Sequence, residues 1–210
     1  HLALAAIHAQ RETFRDADTV RVHPIITKGG AAVNSVPADV RMETYVRASN
    51  VPAILNASEK IDRALRAGAL ATGASVRIQT NPGYLPTKYD EGLTEIYRNN
   101  ASTLVGDDNV ITLNHSTGCT DVGDVSQIIA TIQPNANATS GNGHGIDYLV
   151  DDYELAVLKA GKAMGMTVID LLTGNGATGN KIAGAFRAPM SIGEYLERIR
   201  SFRSDVTYRE

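Results

Sequence analysis

Residues 141–148 read GNGHGIDY, a single imidazole set among three glycines. Neutral imidazole is the commonest metal-binding side chain. Glycine lets a backbone bend sharply and approach a ligand closely, so His144 is a candidate metal ligand. Zinc asks for about three or four protein ligands, and nothing adjacent to His144 supplies a set. Spacing alone therefore leaves two readings, a ligand and a surface-loop histidine.

Two further stretches hold groups able to bind a small anion or polarise a carbonyl. GCTDVGD, residues 118–124, places small residues ahead of two aspartates. Gly118, Cys119 and Thr120 in such a loop offer backbone N–H groups at a helix start, where a substrate carboxylate can sit; an ordinary helix start is the alternative. Cys119 lacks a neighbouring base and reads as a small packed residue rather than a nucleophile. KGGAAVNSVP and the strand after it carry Asn34, a donor for a substrate oxygen, and Arg47, whose guanidinium can fork onto a carboxylate. A turn asparagine and a solvated strand arginine are the corresponding bland readings. Of the other histidines, His8 and His23 read as structural or exposed, and His115 lies just ahead of the small-residue loop, within reach of the same site.

The elements that must position these groups follow from periodicity. LALAAIHAQRETF reads as a helix with Leu4, Ile7 and Phe14 on one face. TVRVHPIIT and DVRMETYVRA alternate as half-buried strands, the second with Arg47 on its polar face. NVPAILNASEKIDRALRAGALATG opens on an Asn50 cap with Pro52 in its first turn and stops by Gly73. SVRIQT is another strand. The order helix, strand, strand, helix, strand lacks only a first strand to make a ferredoxin-like βαββαβ unit. Beyond NPGYLP come a helix over DEGLTEIYRNNASTLV, short strands at VITLNH and within SQIIATIQP, a loop around His144, a strong helix over DDYELAVLKAGKAMGMTVIDLL, a glycine-rich break and a final helix after Ser191.

Composition narrows the classes. Twenty basic residues oppose 23 acidic ones with no basic stripe, which disfavours nucleic acid. No apolar run reaches membrane-spanning length. A single cysteine excludes an internal disulfide framework and fits a cytoplasmic setting.

Taken together, VRVHPIITKGGAAVNSVPADVRMETYVRA resembles the lid, or dimerisation, domain of M20-family metallopeptidases and amidohydrolases. HSTGCTDVGDVSQ, GNGHGIDYLVDDYELAVLKAGKAMGMTVIDLL and FRAPMSIGEYL resemble the catalytic half of the same proteins. The branch most similar holds p-aminobenzoyl-glutamate hydrolase subunits and PM20-type dipeptidases. The resemblance implies an α/β protein: a ferredoxin-like lid over residues 1–80, its first strand missing, and the C-terminal part of a zinc-peptidase-like αβα catalytic domain, with a helical tail, over 81–210. It implies amide hydrolysis in a small N-acyl or aminoacyl amino acid or dipeptide by the complete protein, with two divalent ions, zinc or manganese. His144 matches a ligand of that two-metal centre, Asn34 a carbonyl-polarising lid asparagine, Arg47 the lid arginine that grips the substrate carboxylate, and Gly118, Cys119 and Thr120 the pocket loop. It also implies a homodimer formed through the lid. The family's other ligands and its glutamate base belong to an N-terminal half outside this sequence, so the chain alone is expected to be inactive. Some relatives carry histidine where this chain has Gln127 and Gln133, which bears on the pocket lining. A non-catalytic dimerisation or small-ligand module is the alternative.

Overall fold

The computed structural model describes residues 1–113 and 118–209. Along the chain run α1 (Leu2–Ala9), two 3-10 turns, β1 (Arg21–Val22), β2 (Ile25–Lys28), β3 (Arg41–Glu43), β4 (Val46–Arg47), α2 (Val51–Leu70) and β5 (Val76–Thr80). Then come α3 (Glu91–Val105), α4 (Val122–Val125), β6 (Thr139–Ser140), β7 (Leu149–Val150), a π-helical stretch (Glu154–Lys159), α5 (Ala160–Ala185), α6 (Ile192–Ser201) and β8 (Ser204–Tyr208). The protein is mixed α/β. Its described residues form two compact units: residues 1–86, 118–120 and 192–209 in one, 87–113 and 121–191 in the other.

In the first unit the expected start and stop of α2 are present, whereas the helix expected over LALAAIHAQRETF ends at Ala9 and gives way to a 3-10 turn over Gln10–Thr13. Asn50 caps α2, its side-chain oxygen accepting from the Ala53 N–H at 2.9 Å, with Pro52 in the first turn. The helix ends before Gly73, which takes φ +63°. One face of α2 buries Ala53, Ala57, Ile61 and Ala64. Ile61 and Ala64 form a cluster with Ile7 of α1 and Val22 of β1, flanked by Phe14, Val20, Met42, Val46 and Leu65. Each large apolar side chain buried there contributes about 1.5–3 kcal/mol. The alternation read in the sequence thus points Val22 and Val46 inward, and they pair directly across the β1–β4 ladder.

Over residues 1–80 each of the two strands expected between α1 and α2 is split in two, into β1 and β2 and into β3 and β4, and among the described residues the strands lie in two-stranded antiparallel ladders, β1–β4, β2–β3 and, with a strand from the far C-terminus, β5–β8, rather than in one sheet. Pro24 has no N–H to give and sits where β1 yields to β2. β5 pairs with β8 from the far C-terminus, Val76 opposite Tyr208 through Thr80 opposite Ser204. Arg77 Nε donates to Asp205 Oδ1 at 2.8 Å, Gln79 Nε2 to Asp205 Oδ2 at 3.0 Å, and the Arg66 guanidinium stacks 4.3 Å over the Tyr208 ring.

In the second unit Asp90 caps α3, accepting from the Leu93 N–H at 2.8 Å. α5 is interrupted near the glycine-rich break expected over NGATGN, residues 175–180, but over a shorter and earlier stretch: Thr173–Gly176 leave helical geometry, with Gly174, Asn175 and Gly176 left-handed, and the helix resumes to Ala185. The strand expected at VITLNH is not observed over residues 110–113, and the one within SQIIATIQP is not observed either. The N–H groups of Gln127, Ile128 and Ile129 instead reach back three or four residues, to Asp124 and Val125. A short apolar run is ambiguous between helix and strand until a neighbour takes its hydrogen bonds. Here the local turn takes them.

Candidate functional site

His144 sits in the loop joining β6 to β7. It is exposed and takes a left-handed backbone, φ +67°. The loop is closed by its own hydrogen bonds: the Gly145 N–H donates to the Asn142 carbonyl at 2.7 Å, and the Asn142 N–H to Asp147 Oδ2 at 3.3 Å. The glycines have a steric reason beside any ligand. A Cβ on Gly141, at φ +82°, would collide with the Asp147 carbonyl, and one on Gly145 with the Asp147 carboxylate. Gly143 faces open space. Asp147 therefore braces the loop that presents the imidazole.

The remaining candidates lie in the first unit. Asn34 is in a turn within the long loop between β2 and β3, and exposed. That loop is clasped at its base by Asp39, which accepts from Lys28 Nζ at 2.8 Å and from Arg41 Nε at 3.1 Å. The Arg41 hydrogen bond, with Lys28 behind it, pulls the Asp39 carboxyl down to about 2. Arg47, half-buried on β4, stacks 5.2 Å from the Tyr45 ring and pairs across the ladder with Arg21. Two guanidinium-bearing residues opposite each other favour an anion nearby, since like charges at such positions repel. Gly118 is exposed, and Cys119 and Thr120 are half-buried, in an irregular segment leading into α4. α4 itself is a single turn. His115 lies outside the described residues. Asn34 and Arg47 belong to the first unit and His144 to the second. No hydrogen bond joins Asn34 to Arg47 among the described residues.

Sequence reasoning passed over two buried polar groups in the second unit. Ser126, fully buried, donates to the Gly123 carbonyl at 2.7 Å and accepts from the Lys88 N–H at 3.0 Å. Gln127 is buried beside it and donates to the same carbonyl at 3.0 Å; Gln133 is half-buried. Asn100, also buried, donates to Thr167 Oγ1 at 3.2 Å and Asp170 Oδ2 at 2.8 Å, tying α3 to α5. The signal was present: Asn100 continues the spacing of Leu93, Ile96 and Tyr97 on the packed face of α3. Burial raises the pKa of the Tyr97 hydroxyl on that face. A cavity of about 470 Å³ lies against Asn99, Asp170, Thr173 and Thr178 and contains none of the residues chosen from sequence. Among the described residues no group of three His, Cys, Asp or Glu side chains is placed to hold a metal ion. No helix of the described residues is long and apolar enough to cross a membrane.

No family model matches the chain. Over 164 residues it is 30% identical to Xaa-Arg dipeptidase of Mus musculus, a match covering 73% of this chain and 38% of that protein. Xaa-Arg dipeptidase of Homo sapiens is 27% identical over 164 residues, covering 73% of this chain and 37% of that protein. The chain thus spans less than two fifths of the curated relatives it matches. Along most of its length it is related to dipeptidases.

Proposed function

We propose that this chain forms part of a hydrolase that cleaves the amide bond of a dipeptide or a small N-acyl or aminoacyl amino acid, of the M20 type and in the branch that includes PM20-type dipeptidases. The supporting observation is the similarity to two Xaa-Arg dipeptidases. In this reading residues 1–80 act as a ferredoxin-like lid through which two copies pair, and 81–210 contribute to the catalytic domain. Arg47 grips the substrate carboxylate; its half-buried guanidinium, stacked on Tyr45, is held in place for that task. Asn34 donates to the scissile carbonyl as negative charge develops there, and Gly118, Cys119 and Thr120 line the pocket. A two-metal centre of zinc or manganese would supply an activated water near neutral pH. The described residues do not make that centre by themselves. His144 offers one ligand, and the others, with the glutamate base, would come from polypeptide outside this sequence, so the chain alone turns over no substrate. The single cysteine supports a cytoplasmic setting.

The test is hydrolysis of a dipeptide panel that includes arginine at the C-terminal position, by the longest native form of the protein, with Arg47→Ala and Arg47→Lys variants. A rise in KM for the alanine variant, partly recovered by lysine, with oligomer size unchanged, is the expected result. No hydrolysis of any dipeptide by that form sinks the reading. A second reading, a non-catalytic dimerisation or small-ligand module, is favoured by the self-contained core of the first unit. It requires Arg47→Ala to alter the oligomer and leave no catalytic trace.

A further inference from the structure

On one side of the β1–β4 ladder two arginines stand opposite each other. Val22 and Val46 pair across the ladder and pack into the core. Arg21 and Arg47 are their neighbours along each strand and pair one step further on, so the pleat sends both to the other face. Arg21 is exposed; Arg47 is half-buried and stacks on Tyr45 at 5.2 Å. Side chains directly opposite in an antiparallel pair start about 5 Å apart, and like charges there repel. Among the described residues neither guanidinium reaches a carboxylate in an ion pair.

The β2–β3 ladder shows how this chain resolves the same repulsion elsewhere. There Lys28 stands opposite Arg41, again cation against cation. Asp39 serves both, accepting from Lys28 Nζ at 2.8 Å and from Arg41 Nε at 3.1 Å. One carboxylate offers two oxygens and about four lone pairs, enough for two such partners. Arg41 first and Lys28 second hold the Asp39 carboxyl down to about 2, so it stays ionised between them. Arg21 and Arg47 repeat that cross-strand pair without a carboxylate of their own. Two guanidinium forks suit the two edges of a planar carboxylate. The group that completes the pair is then a carboxylate brought by a ligand.

We propose that Arg21 is a second substrate-binding residue, and that Arg21 and Arg47 hold the terminal carboxylate of the dipeptide between them as Lys28 and Arg41 hold Asp39. The inference rests on the proposed hydrolase reading and adds to its site a residue from the strand facing Arg47. Arg47, stacked on Tyr45, fixes the position of the carboxylate; Arg21, the more exposed arm, supplies the second fork. A neutral amide in the same place leaves both cations unpaired, so the pair selects a free carboxyl end.

Kinetics on the longest native form test this, with a dipeptide whose side chains carry no carboxylate and the same dipeptide amidated at its C-terminus. Arg21→Ala should raise KM for the free acid about tenfold or more and nearly keep kcat. KM for the amide should stay as in the unaltered protein, so the preference for acid over amide falls by the same factor. A purely structural role would weaken both peptides alike. Arg21→Lys should recover part of the loss. Arg21→Glu should raise KM more than Arg21→Ala, because its carboxylate can occupy the place opposite Arg47. An unchanged KM for the acid in Arg21→Ala, or equal losses on acid and amide, overturns the proposal. The 210-residue chain gives a readout without turnover. Titration with N-acetylglycine should shift the guanidinium N–H resonances of Arg21 and Arg47 together, and N-acetylglycinamide should shift neither. Movement of Arg47 alone, or of neither with the acid, also overturns it. Joint movement, with no dipeptide cleaved by the longest native form, leaves the carboxylate grip standing and counts against the hydrolase reading instead.

Discussion

In the unit built on α2, the large side chains Ile7, Val22 and Ile61 are 1%, 4% and 2% exposed and touch one another across two helices and a strand. In the unit built on α5, the buried apolar residues are Ala138, Ala163 and Met190, while Met164, Val168, Ile169 and Leu172 face outward. The first unit closes a core with its own elements. The second joins α3 to α5 largely through polar groups, Asn100 with Thr167 and Asp170, and leaves its apolar payload unspent. Stability in the first should therefore rest on dispersion and area removed from water, and in the second on a few hydrogen bonds.

That contrast can be broken by substitution. Ile61→Ala should have the largest effect, destabilising the first unit by about 3 kcal/mol through lost burial and the cavity left behind. Urea unfolding followed by hydrogen exchange of the α2 amides is the measurement. Val168→Ala on the outward face of α5 should change stability by less than about 0.5 kcal/mol in the chain alone. If it matched Ile61→Ala, α5 would have a core that the structure lacks, and the contrast would be lost.

Asn100→Ala comes next. It removes the amide that bonds the buried Thr167 Oγ1 and the exposed Asp170 carboxylate, at a cost of about 1–2 kcal/mol. Exchange should quicken in α3 and α5 and not in α2. Equal quickening in α2 would mean that the two units unfold as one. Removing the Asn50 cap by Asn50→Ala should cost about 1 kcal/mol, felt at the first turn of α2, since the Ala53 N–H loses its acceptor.

The smallest effect concerns the loop that carries Asn34. Asp39 has a lower pKa folded than unfolded, so its clasp on Lys28 and Arg41 stabilises the loop above the ordinary carboxylate value, about 4. The clasp is lost as pH falls toward about 2. Both partners are exposed, so only the β2–β3 hairpin should loosen, seen as amide shift changes over that window. Asp39→Asn should remove the pH dependence without disturbing Ile7 or Ile61.

Local chemistry was legible in the chain itself. The Asn50 cap, the alternation that turns Val22 and Val46 inward, a glycine-rich break and the long helix before it all follow from side-chain type and spacing over a few residues. Less legible were the polar braces, because Ser126 and Asn100 look ordinary until a neighbour buries them. The candidate site was readable as residue types, Asn34, Arg47, Gly118, Cys119, Thr120 and His144, and not as geometry. The close approach of Gly141 and Gly145 to Asp147 depends on how the β6–β7 loop closes on itself.

Read by itself, the sequence determined where the main helices lie and which of their faces are apolar, since these depend on backbone hydrogen bonding and periodicity within one segment. Only the tertiary structure decided which of those faces is covered. A stripe on α2 and a stripe on α5 carry the same pattern in one dimension. One meets Ile7 and Val22 and becomes a core; the other meets water, because burial depends on partners that sequence spacing cannot specify.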